Sequence, residues 1–157
     1  MKPLSADAAM ARAAALCSRS EQAESDILKK LLTWGIAPSL AHGIVERLKQ
    51  ENFLNEERYA HAYVHDKLAY NGWGRVKISY QLKMKGISSS AIDAAMEQID
   101  EESYRDTLMR LLQGKWREVA HREPQLARAA MLRYGASRGF ETPLLYDAVD
   151  KIVKDVD

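Results

Sequence analysis

The chain has 157 residues, with 23 Lys and Arg against 22 Asp and Glu, one cysteine and 46% apolar residues. That length fits roughly one domain of ~150 residues, and the proportions exclude a disordered charged tail, a collagen-like repeat and a disulfide scaffold. A net charge of +1 excludes a uniformly basic protein and confines any nucleic-acid contact to local patches.

Cys17 has no second cysteine to bridge to and cannot build a Cys-based zinc site, so a cytoplasmic protein is expected. The stretch from Ala6 to Cys17 carries Asp7 and Arg12 where a signal peptide is uninterrupted, and no run approaches the ~18 apolar residues of a membrane span. No membrane anchor is expected.

Ala and Leu together supply 39 residues against 15 Val and Ile, a composition that favours helix because these side chains lose little rotamer freedom there. Pro3, Pro38, Pro124 and Pro143 each stand where an apolar period restarts, in a first helical turn. In chain order the pattern predicts helices at 5–18, 23–33 and 38–50, then 56–70, 75–85 and 89–99, then 103–120, 124–137 and 142–155. Asn55, Ser88 and Thr142 are the predicted N-caps.

Laid against itself with Gly35, Gly86 and Gly139 in register, the chain repeats. Ile36, Ile87 and Phe140 follow the glycines. Further on align Ile44, Ala95 and Ala148; then Val45, Met96 and Val149; then Leu48, Ile99 and Ile152. Every aligned position is apolar and lies on one helical face. Each glycine follows a helical run, where φ > 0 would close the helix. The expected fold is all-α: three tandem three-helix repeats (1–53, 54–100 and 101–157) forming an elongated curved array.

Catalytic chemistry finds little support. His61 and His65 share a helix face at zinc-ligand spacing, but neither a motif glutamate nor a third ligand is apparent. Gly72-Trp73-Gly74 follows a helix and lacks the third glycine of a dinucleotide loop, so Gly72 is expected to end one helix and Gly74 to start the next. Glu101 and Glu102 read as solvated charges at a helix start. No enzyme, cofactor or metal is expected.

From Lys67 to Ile92 there are five basic residues, Lys67, Arg75, Lys77, Lys83 and Lys85, and no acid, with Tyr70, Trp73 and Tyr80 interleaved. Ile78 and Leu82 define the buried stripe of the fifth helix, which turns Lys77, Tyr80, Lys83 and Met84 outward. Such a face can hold a phosphate backbone, stack on a base or grip a protein. From Arg110 to Arg138, seven basic residues, including Arg122, Arg128 and Arg133, face only Glu118 and Glu123. Near-neutrality thus hides segregated charge.

The run Leu54-Asn55-Glu56-Glu57-Arg58-Tyr59-Ala60, then Tyr63-Val64, Gly74-Arg75-Val76-Lys77-Ile78, Gln81-Leu82 and Lys85-Gly86-Ile87 resembles the central signature of the RecX regulatory family. Arg19 through Ile27-Leu28-Lys29-Lys30-Leu31 to Gly35-Ile36, and the stretch ending Arg138-Gly139-Phe140, resemble its flanking repeats. The chain departs from the family at Ala23, commonly serine, at Arg75, commonly proline, and at Gln81, commonly glutamate. The missing cap at Ala23 should weaken its helix start by about 1 kcal/mol unless Gln22 or a neighbour substitutes.

The resemblance implies a small, non-enzymatic helical modulator, expected as a monomer, that binds the RecA recombinase filament on single-stranded DNA and inhibits it. The expected contacts are Arg75, Lys77, Tyr80, Lys83 and Lys85, supported by Arg122, Arg128, Arg133 and Arg138. Two other readings are a general single-stranded nucleic-acid binder acting by competition and a metal-dependent hydrolase built on His61 and His65.

Overall fold

The structure, a computed structural model, describes residues 4–154; Pro3 and the end of the ninth expected helix lie outside the described residues. Among the described residues it is all-helical. The elements are α1 (Ala6–Arg19), α2 (Glu24–Thr33), α3 (Pro38–Gln50), α4 (Glu56–Ala69), α5 (Arg75–Met84), α6 (Ser89–Glu97), α7 (Glu101–Val119), α8 (Pro124–Ser137) and α9 (Thr142–Lys154).

Most boundaries follow from capping chemistry. Asn55 Oδ1 accepts the Arg58 N–H at 2.9 Å, and Ser88 Oγ accepts the Ala91 N–H at 3.3 Å, as expected. α6 stops two residues short of expectation and α7 starts two early, because Asp100 is an N-cap whose carboxylate accepts the Ser103 N–H at 2.9 Å. That bond holds the Asp100 carboxyl below the usual carboxylate range. Thr142 is not a cap: it is already helical, and the Glu141 carbonyl accepts the first turn's bond from Leu145 at 3.0 Å. Ala23 has no side-chain substitute, since Gln22 bonds Ser20 instead; Glu24 and Asp26 supply negative charge to the first turn of α2.

The three aligned glycines end their helices in one geometry. Gly35, Gly86 and Gly139 have φ of 88°, 81° and 93°. The N–H groups of Ile36, Ile87 and Phe140 reach back to the carbonyls of Leu31, Leu82 and Gly135 at 3.1, 3.1 and 3.2 Å. The glycine N–H groups close the inner bond, to Leu32, Lys83 and Ala136. The apolar residue after each glycine is thereby turned onto the helix it follows and buried.

Two compact units result, one comprising Met1–Ala62 with Leu82–Ala95 and the other Tyr63–Gln81 with Met96–Asp157. The division falls inside α4, α5 and α6, so the expected middle repeat is shared between the units. In the first unit Ala9 and Ala13 of α1, Ile27 and Leu31 of α2, and Ile44, Val45 and Leu48 of α3 form one core. In the second, Tyr104, Leu108 and Leu112 of α7 pack with Met131 of α8 and Leu145, Val149 and Ile152 of α9. Each fully buried Leu, Ile or Val contributes roughly 1.5–3 kcal/mol by leaving water.

Gly135 occupies the position held by Leu31 and Leu82 in the other two helix ends. A Cβ there would stand 2.1 Å from Leu145 Cδ2, so α8 and α9 approach too closely for a side chain. Gly43, in the middle of α3, has no atom within 4 Å of where its Cβ would be. Urea unfolding should therefore separate the two: Gly135→Ala costs about 1–3 kcal/mol by overpacking, whereas Gly43→Ala gains about 0.5–1 kcal/mol from helix propensity.

Candidate nucleic-acid and partner interface

A helix start leaves its first N–H groups without intrahelical partners, and the start of α5 finds partners in distant residues of the second unit. Gly74 donates to the Arg138 carbonyl at 2.8 Å and Val76 to the Gly139 carbonyl at 2.9 Å, both at the end of α8. Between them the Arg75 N–H donates to the Tyr104 hydroxyl at 2.9 Å. The positive end of one helix dipole thus meets the negative end of another. The approach excludes side chains: a Cβ on Gly74 would lie 2.4 Å from the Gly139 oxygen, and one on Gly139 2.2 Å from Lys77 Cβ.

Tyr104 is fully buried, and its hydroxyl donates in turn to the Glu141 carboxylate. Burial, and then the adjacent Glu141, hold its phenol far above the usual range. The Arg75 guanidinium lies 3.9 Å over the Tyr104 ring, donates to Glu141 at 2.8 Å and also pairs with Glu101. Glu101 reaches Arg105 at 3.5 Å as well, so this exposed charge at a helix start is also ion-paired. Its hydrogen bond from Arg75 pulls its carboxyl below the usual range.

A related junction stands in the first unit. Near the start of α2, Ser25 Oγ donates to the Lys85 carbonyl at 2.7 Å, and Lys85 Nζ reaches both carboxylate oxygens of Asp26 at 2.8 Å. Of the cations expected at the contact face, Arg75 and Lys85 are therefore engaged within the protein.

The outward side of α5 carries what remains. Ile78 and Leu82 are fully buried as expected, while Tyr80 is 60% and Met84 68% exposed, and Lys83 is exposed. Val76 is 55% exposed. Lys77 is half-buried, with its Nζ 4.5 Å over the Trp73 ring, because its stem packs against Gly139.

The arginines of the third expected repeat divide in the same way. Arg122 and Arg133 are exposed and have no ion pair among the described residues. Arg128 pairs with Asp150. Arg138 is half-buried, its Nε buried without a hydrogen-bond partner among the described residues. His65 lies 3.3 Å from Asp66, and among the described residues no three His, Cys, Asp or Glu converge to hold a metal. No described helix is long and apolar enough to cross a membrane.

Comparison with known proteins gives a consistent result. Residues 55–96 match the model of the second three-helix domain of RecX. The regulatory protein RecX of Xanthomonas axonopodis pv. citri is 34% identical over 131 residues, covering 83% of this chain and 78% of the relative. The RecX of Clostridium perfringens strain 13 is 29% identical over 138 residues; these span 87% of this chain but only 62% of that longer protein. Among solved structures, a regulatory protein RecX superposes with a TM-score of 0.81 at 23% identity, covering 96% of this chain and 71% of that one. RecX from Lactobacillus salivarius gives 0.78 at 18% identity, covering 97% and 96%. These two establish the fold alone.

The junction makes stability depend on buried polar pairing. Tyr104→Phe leaves the Arg75 N–H and Glu141 without their shared partner and should cost about 1–3 kcal/mol in urea unfolding. Because the folded Glu101 carboxyl titrates below its unfolded value of ~4.3, its contribution is present above that pH and disappears as pH falls through the folded value. The deficit of Glu101→Gln relative to the parent, measured as a urea midpoint, should therefore be visible at pH 7 and vanish in strong acid.

Proposed function

The chain belongs to the RecX family of regulatory proteins, and from that premise we propose that it binds a RecA-type recombinase filament on single-stranded DNA and inhibits it. It acts by binding and not by catalysis, as a cytoplasmic monomer in DNA repair and recombination. The three repeats, 1–53, 54–100 and 101–157, are its units of recognition. The observation that carries this reading is the outward face of α5. There Tyr80 and Lys83 are presented to solvent beside Val76 and Met84, on a helix whose other side is core.

Lys77, Tyr80 and Lys83, with Arg122 and Arg133, make the contacts in this reading. Arg75, Lys85, Arg128 and Arg138 support them from within the fold, three of them through ion pairs. An exposed tyrosine among lysines also suits a second reading, a general single-strand binder that competes for DNA. Its affinity for bare strands would fall by about 0.7 log units per log of salt for each phosphate neutralised.

The joint change Lys77→Glu with Lys83→Glu should leave helical circular dichroism unchanged. It should raise the concentration needed for half-inhibition of RecA ATPase at least ~10-fold, or ~1.4 kcal/mol. Unaltered inhibition would remove this face from the mechanism. Capture of the chain by RecA only when single-stranded DNA and nucleotide are present favours the filament reading; equal capture by bare strands favours the competitor.

A further inference from the structure

The turn between α4 and α5 gathers two cations on one indole. The Trp73 N–H returns to the Lys67 carbonyl at 3.0 Å across Gly72, whose φ is 63°. This brings Trp73 back over the end of α4. Lys67 Nζ then lies 4.9 Å from the centre of the Trp73 ring, and Lys77 Nζ, from the first turns of α5, lies 4.5 Å from the same centre.

Neither ammonium has a carboxylate partner among the described residues. Among the acids of this unit, Asp66 lies at His65, and Glu101 and Glu141 pair with Arg75. With no carboxylate against either ammonium among the described residues, both charges remain available to an anionic ligand. One helical turn on from Lys67 and from Lys77 stand Tyr70, 79% exposed, and Tyr80, 60% exposed.

We propose that Lys67, Trp73 and Lys77 form a direct binding site for single-stranded nucleic acid, each ammonium taking a backbone phosphate and the neighbouring rings stacking on bases. Paired cations alone would serve any anion; the exposed rings select a strand with unstacked bases over an acidic peptide. The site deepens the second reading, the single-strand binder, and rests on it, since the free protein binds the strand here without recombinase. Lys67 and Trp73 are contacts that the outward face of α5 does not include.

The test is the fluorescence anisotropy of a labelled thymidine 12-mer titrated with the intact chain and no recombinase. Lys67→Ala and Lys77→Ala should each weaken binding at least ~10-fold and lower the slope of log affinity against log salt by ~0.7. Lys30→Ala, at an exposed lysine outside this unit, should stay within ~2-fold. Tyr70→Leu, at a ring 79% exposed, tests the stacking and should weaken binding at least ~5-fold.

Lysine variants that bind like the parent overturn the proposal. So does poly-glutamate that competes as well as unlabelled thymidine 12-mer at equal charge, since the site would then be a general anion patch. RecA ATPase is measured in parallel: a parent chain that binds the 12-mer through Lys67 but does not inhibit RecA refutes the regulatory reading and leaves this site standing.

Discussion

The end of α8 lies so close to the start of α5 that neither Gly74 nor Gly139 has room for a side chain. Much of the second unit follows from that approach. It supplies carbonyls to N–H groups at the start of α5 and places Tyr104 where its hydroxyl accepts from Arg75 and donates to Glu141. A buried phenol and an arginine over its ring would be costly left unpaired; here each polar end has a partner. A proline at the Arg75 position would have no N–H to give Tyr104, so arginine supplies both a backbone bond and an ion pair to the junction.

A similar meeting of helix ends joins Ser25 and Asp26 to Lys85. Lys85 and Arg138 are equivalent in the repeat, each the residue before the helix-closing glycine. In both, the backbone carbonyl accepts a bond from near the start of another helix, α2 in one case and α5 in the other. One local device, a helix closed by a glycine with φ > 0, thus supplies the acceptor for the next connection. Gly139 serves both purposes, since its missing Cβ closes α8 and admits Lys77.

These connections sort the charges. A chain with net charge +1 places Arg75, Lys85 and Arg128 opposite carboxylates, which removes them from the set available to a partner. Among the described residues Lys77, Lys83, Arg122 and Arg133 have no acid paired with them, and Tyr80 and Met84 remain exposed. The junction also anchors the start of α5, so the exposed face is held on a packed helix and not on a loop. A partner meets it with little ordering left to do.

Among the described residues the nine helices, the glycine caps and the apolar stripes at Ile44, Val45 and Leu48 and at Ala148, Val149 and Ile152 were legible in the residues themselves; in the middle copy Ala95 is buried, but Met96 is half-buried and Ile99 lies beyond the end of α6. A 3.6-residue period and a glycine after a helical run are properties of neighbouring positions, and local sterics decide them. Which cations are free was not legible. Arg75 meets carboxylates 26 and 66 residues away, and Lys85 one 59 residues away. Gly135 is glycine on account of Leu145, in another helix. No period encodes such pairings, because they arise only when helix ends far apart in the chain are brought within hydrogen-bonding reach. Amino-acid order alone therefore determined the helices and their buried stripes; tertiary packing decided which charged groups each helix keeps for itself and which it presents to solvent.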